Sequence, residues 1–278
     1  MKWILSINVC LLVFACDKNP FSEEDRIPER KITGKVTLQS LSDNSDTYIW
    51  LEGTAFLTQT EVDGSFSISL PTPGEAGRGA IVSGSYRLYF YAANYKLKSI
   101  SIEFLNGEIV EDKKIIDKNG SLQVTHSLEN ILTLDSKVFK MYTESGDFDS
   151  LKVNVTLDPN KNIVFIKSLV KVVIKDSFIR TGYIIFNSDQ EFVESFTIDG
   201  ARIREEAVVM PRKEWQVQFA VKPANYPPGS YTIIPYITLN RSDIPSALES
   251  LIGTDHKSFN QNFILYPFKR TGGKFIIQ

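Results

Sequence analysis

Short stretches in which apolar and polar residues alternate recur along most of the chain. In residues 65–70 and 151–157 every second side chain is apolar, which is typical of a strand with one buried face. Turn-forming residues separate such stretches, at intervals of about ten residues in the C-terminal half. One short helix is predicted, capped by Ser242 or Asp243 and reaching Leu251. The pattern therefore predicts an all-β protein.

Two glycine-containing turns are predicted to close β-hairpins. Asp63-Gly64 stands between two strand-like stretches, and a tight hairpin turn needs the positive φ that glycine adopts at little cost. Near the C terminus, residues 271–273 separate the apolar stretches 263–266 and 274–277. We expect each turn to join two strands that pair with each other.

The strand-like stretches fall into two groups. They predict two β-sandwich domains in tandem, at residues 31–133 and 134–278. The regular strand spacing of the second group is typical of an immunoglobulin-like sandwich.

The first domain carries a recurring set of turn and core positions. G-K-V at residues 34–36 is followed by T-E-V-D-G-S-F at 60–66 and G-S-Y-R-L at 84–88. This order resembles the carboxypeptidase regulatory-like domain, a transthyretin-like β-sandwich of bacterial envelope proteins. Glu61 replaces the usual Asp of that pattern, and Ser83 replaces the usual Pro. The resemblance implies a spacer or recognition module without catalytic activity.

The second domain has a shorter likeness to known modules. P-P-G-S-Y at residues 227–231 is similar to a stretch of envelope immunoglobulin-like modules and of an intracellular proteinase-inhibitor sandwich. This likeness implies a β-sandwich and leaves the family of the second domain open.

The N terminus has the pattern of a cleaved leader. Residues 1–15 begin with one positive charge, continue almost entirely with apolar side chains and end on the small Ala15, directly before Cys16. The run is shorter than the roughly 20 apolar residues of a membrane-spanning helix. It resembles a bacterial lipoprotein signal, which implies cleavage before Cys16 and lipidation of Cys16. Residues 16–30, rich in charge and proline, are predicted to form a flexible tether.

Composition narrows the function classes. The chain is 42% hydrophobic, enough to bury a core, and its formal net charge of -2 shows no basic excess, so no nucleic-acid partner is predicted. Its two cysteines are Cys10, inside the predicted signal, and Cys16. After cleavage only the lipidated Cys16 remains, so we predict no disulfide, cysteine nucleophile or cysteine metal site within one chain. No cofactor is predicted.

Histidine is the one residue type that suggests an enzyme. His126 and Glu129 form an H-x-x-E motif, and His256 lies far downstream, as in the zinc-ligand layout of metallocarboxypeptidases. Those peptidases are large α/β domains, whereas the sequence after His126 is β-rich and about half the needed length. We therefore predict two surface or loop histidines, no metal site and no enzymatic activity.

Aromatic residues supply the remaining candidates. Tyr89, Tyr91 and Tyr95 lie in or near predicted strands, where aromatic side chains can stack on sugars or form part of the core. The favoured hypothesis is a lipid-anchored envelope protein, in the outer membrane, that acts as a non-catalytic structural or protein-interaction module. The alternative is a carbohydrate-binding surface lipoprotein, with the three tyrosines and the loop at residues 71–84 as its binding region.

Overall fold

The chain is an all-β protein, as the sequence predicts. A computed structural model describes residues 30–71, 81–174, 177–180, 182–220, 222 and 225–278. Within these ranges twenty strands form five sheets, with one short α-helix. The predicted signal peptide, Cys16 and the predicted tether up to residue 29 lie outside the described residues.

Eight strands build the first sandwich, from two sheets that face each other. The strands are β1 (Lys31–Leu38), β2 (Tyr48–Leu51), β3 (Leu57–Gln59), β4 (Ser65–Ser69), β5 (Gly84–Tyr91), β6 (Lys98–Leu105), β7 (Glu108–Ile109) and β8 (His126–Leu128). One sheet has the order β4-β1-β8, with β1 and β8 parallel, and the other is an antiparallel sheet of order β3-β2-β5-β6-β7. The core between them includes Ile32, Val36, Ile49, Leu88, Phe90 and Ile102.

The Asp63-Gly64 turn does not close a hairpin, so that prediction is wrong. The strand before it, β3, pairs with β2, whereas the strand after it, β4, pairs with β1 in the opposite sheet. Gly64 has φ +84°, and a Cβ at this position would lie 1.9 Å from the carbonyl oxygen of Val36. Glycine is therefore required here because the chain crosses tightly between two sheets.

Twelve strands build the second sandwich. They are β9 (Leu132–Tyr142), β10 (Phe148–Pro159), β11 (Val164–Ile174), β12 (Ser177–Arg180), β13 (Tyr183–Asn187), β14 (Phe192–Phe196), β15 (Arg202–Val208), β16 (Lys213–Ala220), β17 (Gly229–Pro235), β18 (Ile237–Leu239), β19 (Thr271–Gly272) and β20 (Lys274–Ile277). The sheets have the orders β16-β10-β9-β19, β14-β13-β17-β20 and β12-β11-β15, with β18 also paired to β11. Their shared core includes Leu151, Val153, Val155, Ile166, Ile184 and Ile233.

In each sandwich, a tyrosine hydroxyl forms a hydrogen bond with the backbone just before the start of its own strand. The hydroxyl of Tyr231 donates a hydrogen bond to the carbonyl of Pro227 at 2.6 Å, and the hydroxyl of Tyr86 accepts one from the N–H of Val82 at 3.2 Å. Both bonds reach back four residues along the chain. The P-P-G-S-Y stretch therefore forms a tyrosine corner, a structural feature of many β-sandwiches.

The C-terminal segment differs from its predicted hairpin. The predicted helix exists as α1 (Ser246–Ile252), but a 3-10 helix, Gln261–Leu265, occupies most of the predicted strand at residues 263–266. Gly272 pairs with β9 through Ser136, and β20 after it pairs with β17 in another sheet. The glycine turn therefore joins two sheets, and the hairpin prediction is wrong.

Strands β2 and β5 contribute alternate residues to two different cores. One set points into the first sandwich: Ile49, Leu51, Leu88 and Phe90. The other set packs with the core of the second sandwich: Tyr48, Trp50, Tyr89 and Tyr91. Each of these side chains is at most 7% exposed. The middle of the five-stranded sheet, β2 and residues 88–91 of β5, is therefore buried on both faces, and its second face joins the two sandwiches.

Hydrogen bonds from buried side chains reinforce this junction. The Nδ2 of Asn94 donates to the carbonyls of Leu132 (2.8 Å) and Lys269 (3.0 Å), and its Oδ1 accepts from the N–H of Lys269 (2.9 Å). From the second sandwich, Arg241 donates to the carbonyl of Ala93 at 3.0 Å. Asn94 thus holds two distant backbone segments against the end of β5.

Replacing Asn94 by Ala is expected to lower the free energy of unfolding by roughly 1–3 kcal/mol, because the N–H and carbonyl of Lys269 lose a partner and the buried carbonyl of Leu132 keeps only its bond from Asn130. Denaturant unfolding of the full chain measures the change. Asn119→Ala is the matched control, since Asn119 is exposed in a turn, and we expect it to change stability by less than about 0.5 kcal/mol. Equal effects of the two substitutions would contradict the role of Asn94.

Candidate functional site

The three candidate tyrosines are buried in the structure. Tyr89 is 7% exposed, and Tyr91 and Tyr95 are each 1% exposed. The ring of Tyr89 stacks on Trp50 with 5.5 Å between centroids, and the hydroxyl of Tyr95 donates to the carbonyl of Gln39 at 3.0 Å. Burial also raises the pKa of Tyr91 well above its ordinary value. These three rings therefore form part of the core. They offer no exposed face on which a sugar can stack.

His126 is a buried residue of the first sandwich, not a surface residue as predicted. It lies in β8, is 6% exposed and has its ring centroid 4.8 Å from that of Phe90. Burial lowers the pKa of His126, and the nearby charge of Lys98 adds to the effect. Glu129 points elsewhere, since its carboxylate accepts a hydrogen bond from Lys96 at 2.8 Å.

His256 is also buried, in the second sandwich. It is 3% exposed, its Nδ1 contacts the carbonyl of Gly253, and its ring lies 5.9 Å from that of Tyr266. Burial lowers the pKa of His256. The two histidines belong to different cores, so the structure does not bring the H-x-x-E motif and His256 together.

The described residues contain no group of three or more His, Cys, Asp or Glu side chains placed to hold a metal ion. Over the same residues, no helix is long and apolar enough to cross a membrane.

A polar cleft of about 590 Å³ lies where the two sandwiches meet. The first sandwich contributes a loop that includes Ser45 and Asp46, and the second contributes the turn after β13 and the C-terminal segment. Arg270 and Ser136 line this cleft and also the one beside it. The junction described above therefore creates a concave polar surface that neither sandwich has alone.

Arg270 is the unusual residue of this cleft. Its guanidinium lies between the rings of Phe263 and Phe268, with 5.1 and 5.0 Å from Cζ to the centroids. Nη1 donates to the carbonyl of Phe268 at 2.8 Å, whereas Nε and Nη2 are covered and have no hydrogen-bond partner among the described residues. Burial lowers the pKa of Arg270 to about 10, and nearby Tyr266 acts against that shift. The group thus remains a cation at neutral pH.

Sequence reasoning missed this cleft. The available signal was the cationic pair Lys269-Arg270 between Phe268 and a glycine turn. A cation beside an aromatic residue is common on protein surfaces, and the pattern of residues cannot reveal whether a guanidinium has a partner.

An apolar strip is exposed on the outer face of β11 and β15. We use this name for Ile163, Phe165, Ile203 and Val209, which are 40% to 59% exposed. Phe165 lies opposite Ala207, and Ile203 lies opposite Leu169, so these side chains share one face of the strand pair. Lys167 and Glu205 face each other between them. Neighbouring exposed apolar side chains of this kind often mark an interaction surface.

Comparison of the chain with known proteins gives no assignment. No protein-family model, no curated protein and no solved structure matches it. The resemblances to a carboxypeptidase regulatory-like domain, to immunoglobulin-like modules and to a lipoprotein signal therefore stay predictions. The all-β fold with sheets packed as sandwiches is what the structure itself establishes.

The buried histidines predict a loss of stability on acidification. Because burial lowers both pKa values below the ordinary 6.5, the unfolded chain binds more protons than the folded chain as the pH falls below that value. We expect the free energy of unfolding to fall from about pH 7 to about pH 5, above the range in which most carboxylates titrate.

Denaturant unfolding at several pH values measures this dependence. His126→Gln and His256→Gln, which are neutral throughout, should each reduce the slope of stability against pH. An unchanged slope in both variants would contradict the prediction.

Proposed function

We propose that the chain is a lipid-anchored cell-envelope protein and acts as a non-catalytic structural or protein-interaction module. The support for the anchor is the order of features at the N terminus: a short apolar run, the small Ala15, Cys16 and then a polar segment rich in charge and proline. Stable anchoring requires more than one acyl chain, which the modification of such a cysteine supplies.

The apolar strip is the single observation that carries the interaction part of the proposal. Phe165 and Ile203 come from adjacent strands of a sheet, and Ile163 and Val209 directly adjoin the ends of those strands, so the four form a fixed surface and not a set of independent loops. The charges of Lys167 and Glu205 within the same face would fix the orientation of a protein partner. A second copy of the chain or another envelope protein fits this surface equally.

The shared core of the two sandwiches supports a structural role. Because β2 and the end of β5 are buried on both faces, the position of the apolar strip relative to the first sandwich is set by packing. A predicted tether of about fifteen residues would hold this body away from the lipid surface, which we propose is the outer membrane.

Replacing Cys16 by Ser tests the anchor. The wild-type chain should incorporate labelled fatty acid and sediment with membranes, because acyl chains hold it there, whereas the Ser variant should carry no label and become soluble. A variant that stays membrane-bound, together with a wild type that carries no lipid, would contradict the anchor.

The double substitution Phe165→Thr and Ile203→Thr tests the interaction surface. Threonine keeps the preference for strands, so we expect stability to change by about 1 kcal/mol or less, whereas partner binding should fall by at least tenfold. Cross-linking in intact envelopes, followed by recovery of the chain, measures partner capture.

The matched control is Val62→Thr, because Val62 is an exposed apolar residue of the other sandwich. A partner recovered by the wild type and by this control, but not by the double variant, is the expected result. A partner recovered equally by all three proteins would show that the apolar strip is not the binding surface.

A further inference from the structure

The cleft between the sandwiches is lined by an arginine that has one covered edge without a hydrogen-bond partner among the described residues. In arginine, Nε and Nη2 form the edge of the guanidinium that holds a carboxylate through two parallel hydrogen bonds. In Arg270 this is the edge that has no partner among the described residues, while Nη1 is already used. Burying a cation without an anion is unfavourable, so this arrangement favours an anion that comes from outside the chain.

Neighbouring acidic groups do not fill this role. Asp46 forms an ion pair with Lys269, at 3.5 Å. Asp135 accepts a hydrogen bond from the hydroxyl of Thr271 at 2.7 Å. Asp43, which also lines the cleft, accepts a hydrogen bond from the backbone N–H of Ser45 at 2.9 Å. Each of these three carboxylates is therefore engaged with another group of the described residues.

A second buried polar atom lies in the same cleft. The hydroxyl oxygen of Ser136 is covered and has no partner among the described residues, and Ser136 lines the same two cavities as Arg270. Buried polar groups normally have a hydrogen-bond partner, so two residues that line one cleft and have unpaired polar atoms point to a polar ligand.

The fold holds this part of the cleft in place. Thr271 and Gly272 pair in parallel with Asp135 and Ser136, so Arg270 lies two residues before the residue that pairs with Ser136. Gly272 has φ +73°, and a Cβ there would lie 2.0 Å from the carbonyl oxygen of Ser136. This close approach of two strands requires glycine and keeps the two residues on one wall.

We infer that this cleft binds a carboxylate-bearing polar ligand, with the carboxylate on the Nε and Nη2 edge of Arg270 and an adjacent polar group near the hydroxyl of Ser136. The rest of the lining suits such a ligand, because Gln59 and Thr232 have amide and hydroxyl groups. The volume of about 590 Å³ accommodates a molecule larger than a simple ion. Since the free edge is covered, a side chain must move before the ligand binds, and association should be slow.

Calorimetric titration of the full chain tests this inference. The probes are glucuronate, an acidic sugar, and N-acetylglycine, which represents the end of a peptide, with glucose and N-acetylglycinamide as their uncharged counterparts. We expect saturable binding of at least one of the two acids and much weaker binding of its neutral counterpart. Tighter binding of glucuronate would identify an acidic sugar as the source of the carboxylate, and tighter binding of N-acetylglycine would identify the end of a peptide.

Variants locate the binding to Arg270. Arg270→Gln should weaken binding of the acid roughly 10- to 100-fold, Arg270→Lys should weaken it less because the charge remains, and Ser136→Ala should weaken it a few-fold. Arg212→Gln is the matched control, since Arg212 is an exposed arginine that does not line the cleft, and it should leave affinity unchanged.

Three results would overturn the inference. The first is that the folded wild type shows no saturable binding of either acid. The second is that an acid and its neutral counterpart bind equally well. The third is that the Arg270→Lys and Ser136→Ala variants bind the acid with the same affinity as the wild type. The wild-type titrations and these two conservative variants decide the question even if Arg270→Gln fails to fold. None of these results depends on the lipid anchor or on the apolar strip.

Discussion

The burial of β2 and the end of β5 on both faces is the constraint on which the rest of the structure depends. Alternate residues of β2 and β5 enter two different cores, so a shift of one residue in either strand would exchange the two sets. Each fully buried apolar side chain contributes about 1.5–3 kcal/mol, and the second face includes Trp50, Tyr89 and Tyr91. The pairing that orders the first sandwich therefore also builds the surface that holds the second.

The C-terminal segment depends on that same surface. Its residues pack over the face of β2 and β5 that contains Trp50 and Tyr91, and Asn94 forms a hydrogen bond with the backbone of Lys269. The segment then supplies Arg270 to the cleft and ends in a glycine turn that crosses between two sheets. The candidate carboxylate site is thus a consequence of how the sandwiches join. This also explains why its residues lie far apart in the sequence.

The pattern of apolar residues predicted many of the strands but not their partners, and one apolar stretch, residues 263–266, is mostly a 3-10 helix. A glycine turn such as Asp63-Gly64 has the same local chemistry whether it closes a hairpin or crosses between sheets, so pairing could not be predicted from it. Four successive apolar residues at Tyr48–Leu51 did carry a signal, because a strand that is apolar throughout is typically buried on both faces. Tyr89, Tyr91 and Arg270 were unpredictable for a related reason, since what covers a side chain depends on distant parts of the chain.

The most direct test of a shared core is whether the two sandwiches unfold together. Hydrogen exchange followed by mass spectrometry at increasing denaturant can follow β5 in the first sandwich and β10 in the second within the same molecule. A core that continues across the junction predicts that both strands lose protection at the same denaturant concentration, in one transition. Two separate transitions, with β10 still protected after β5 has opened, would contradict the account.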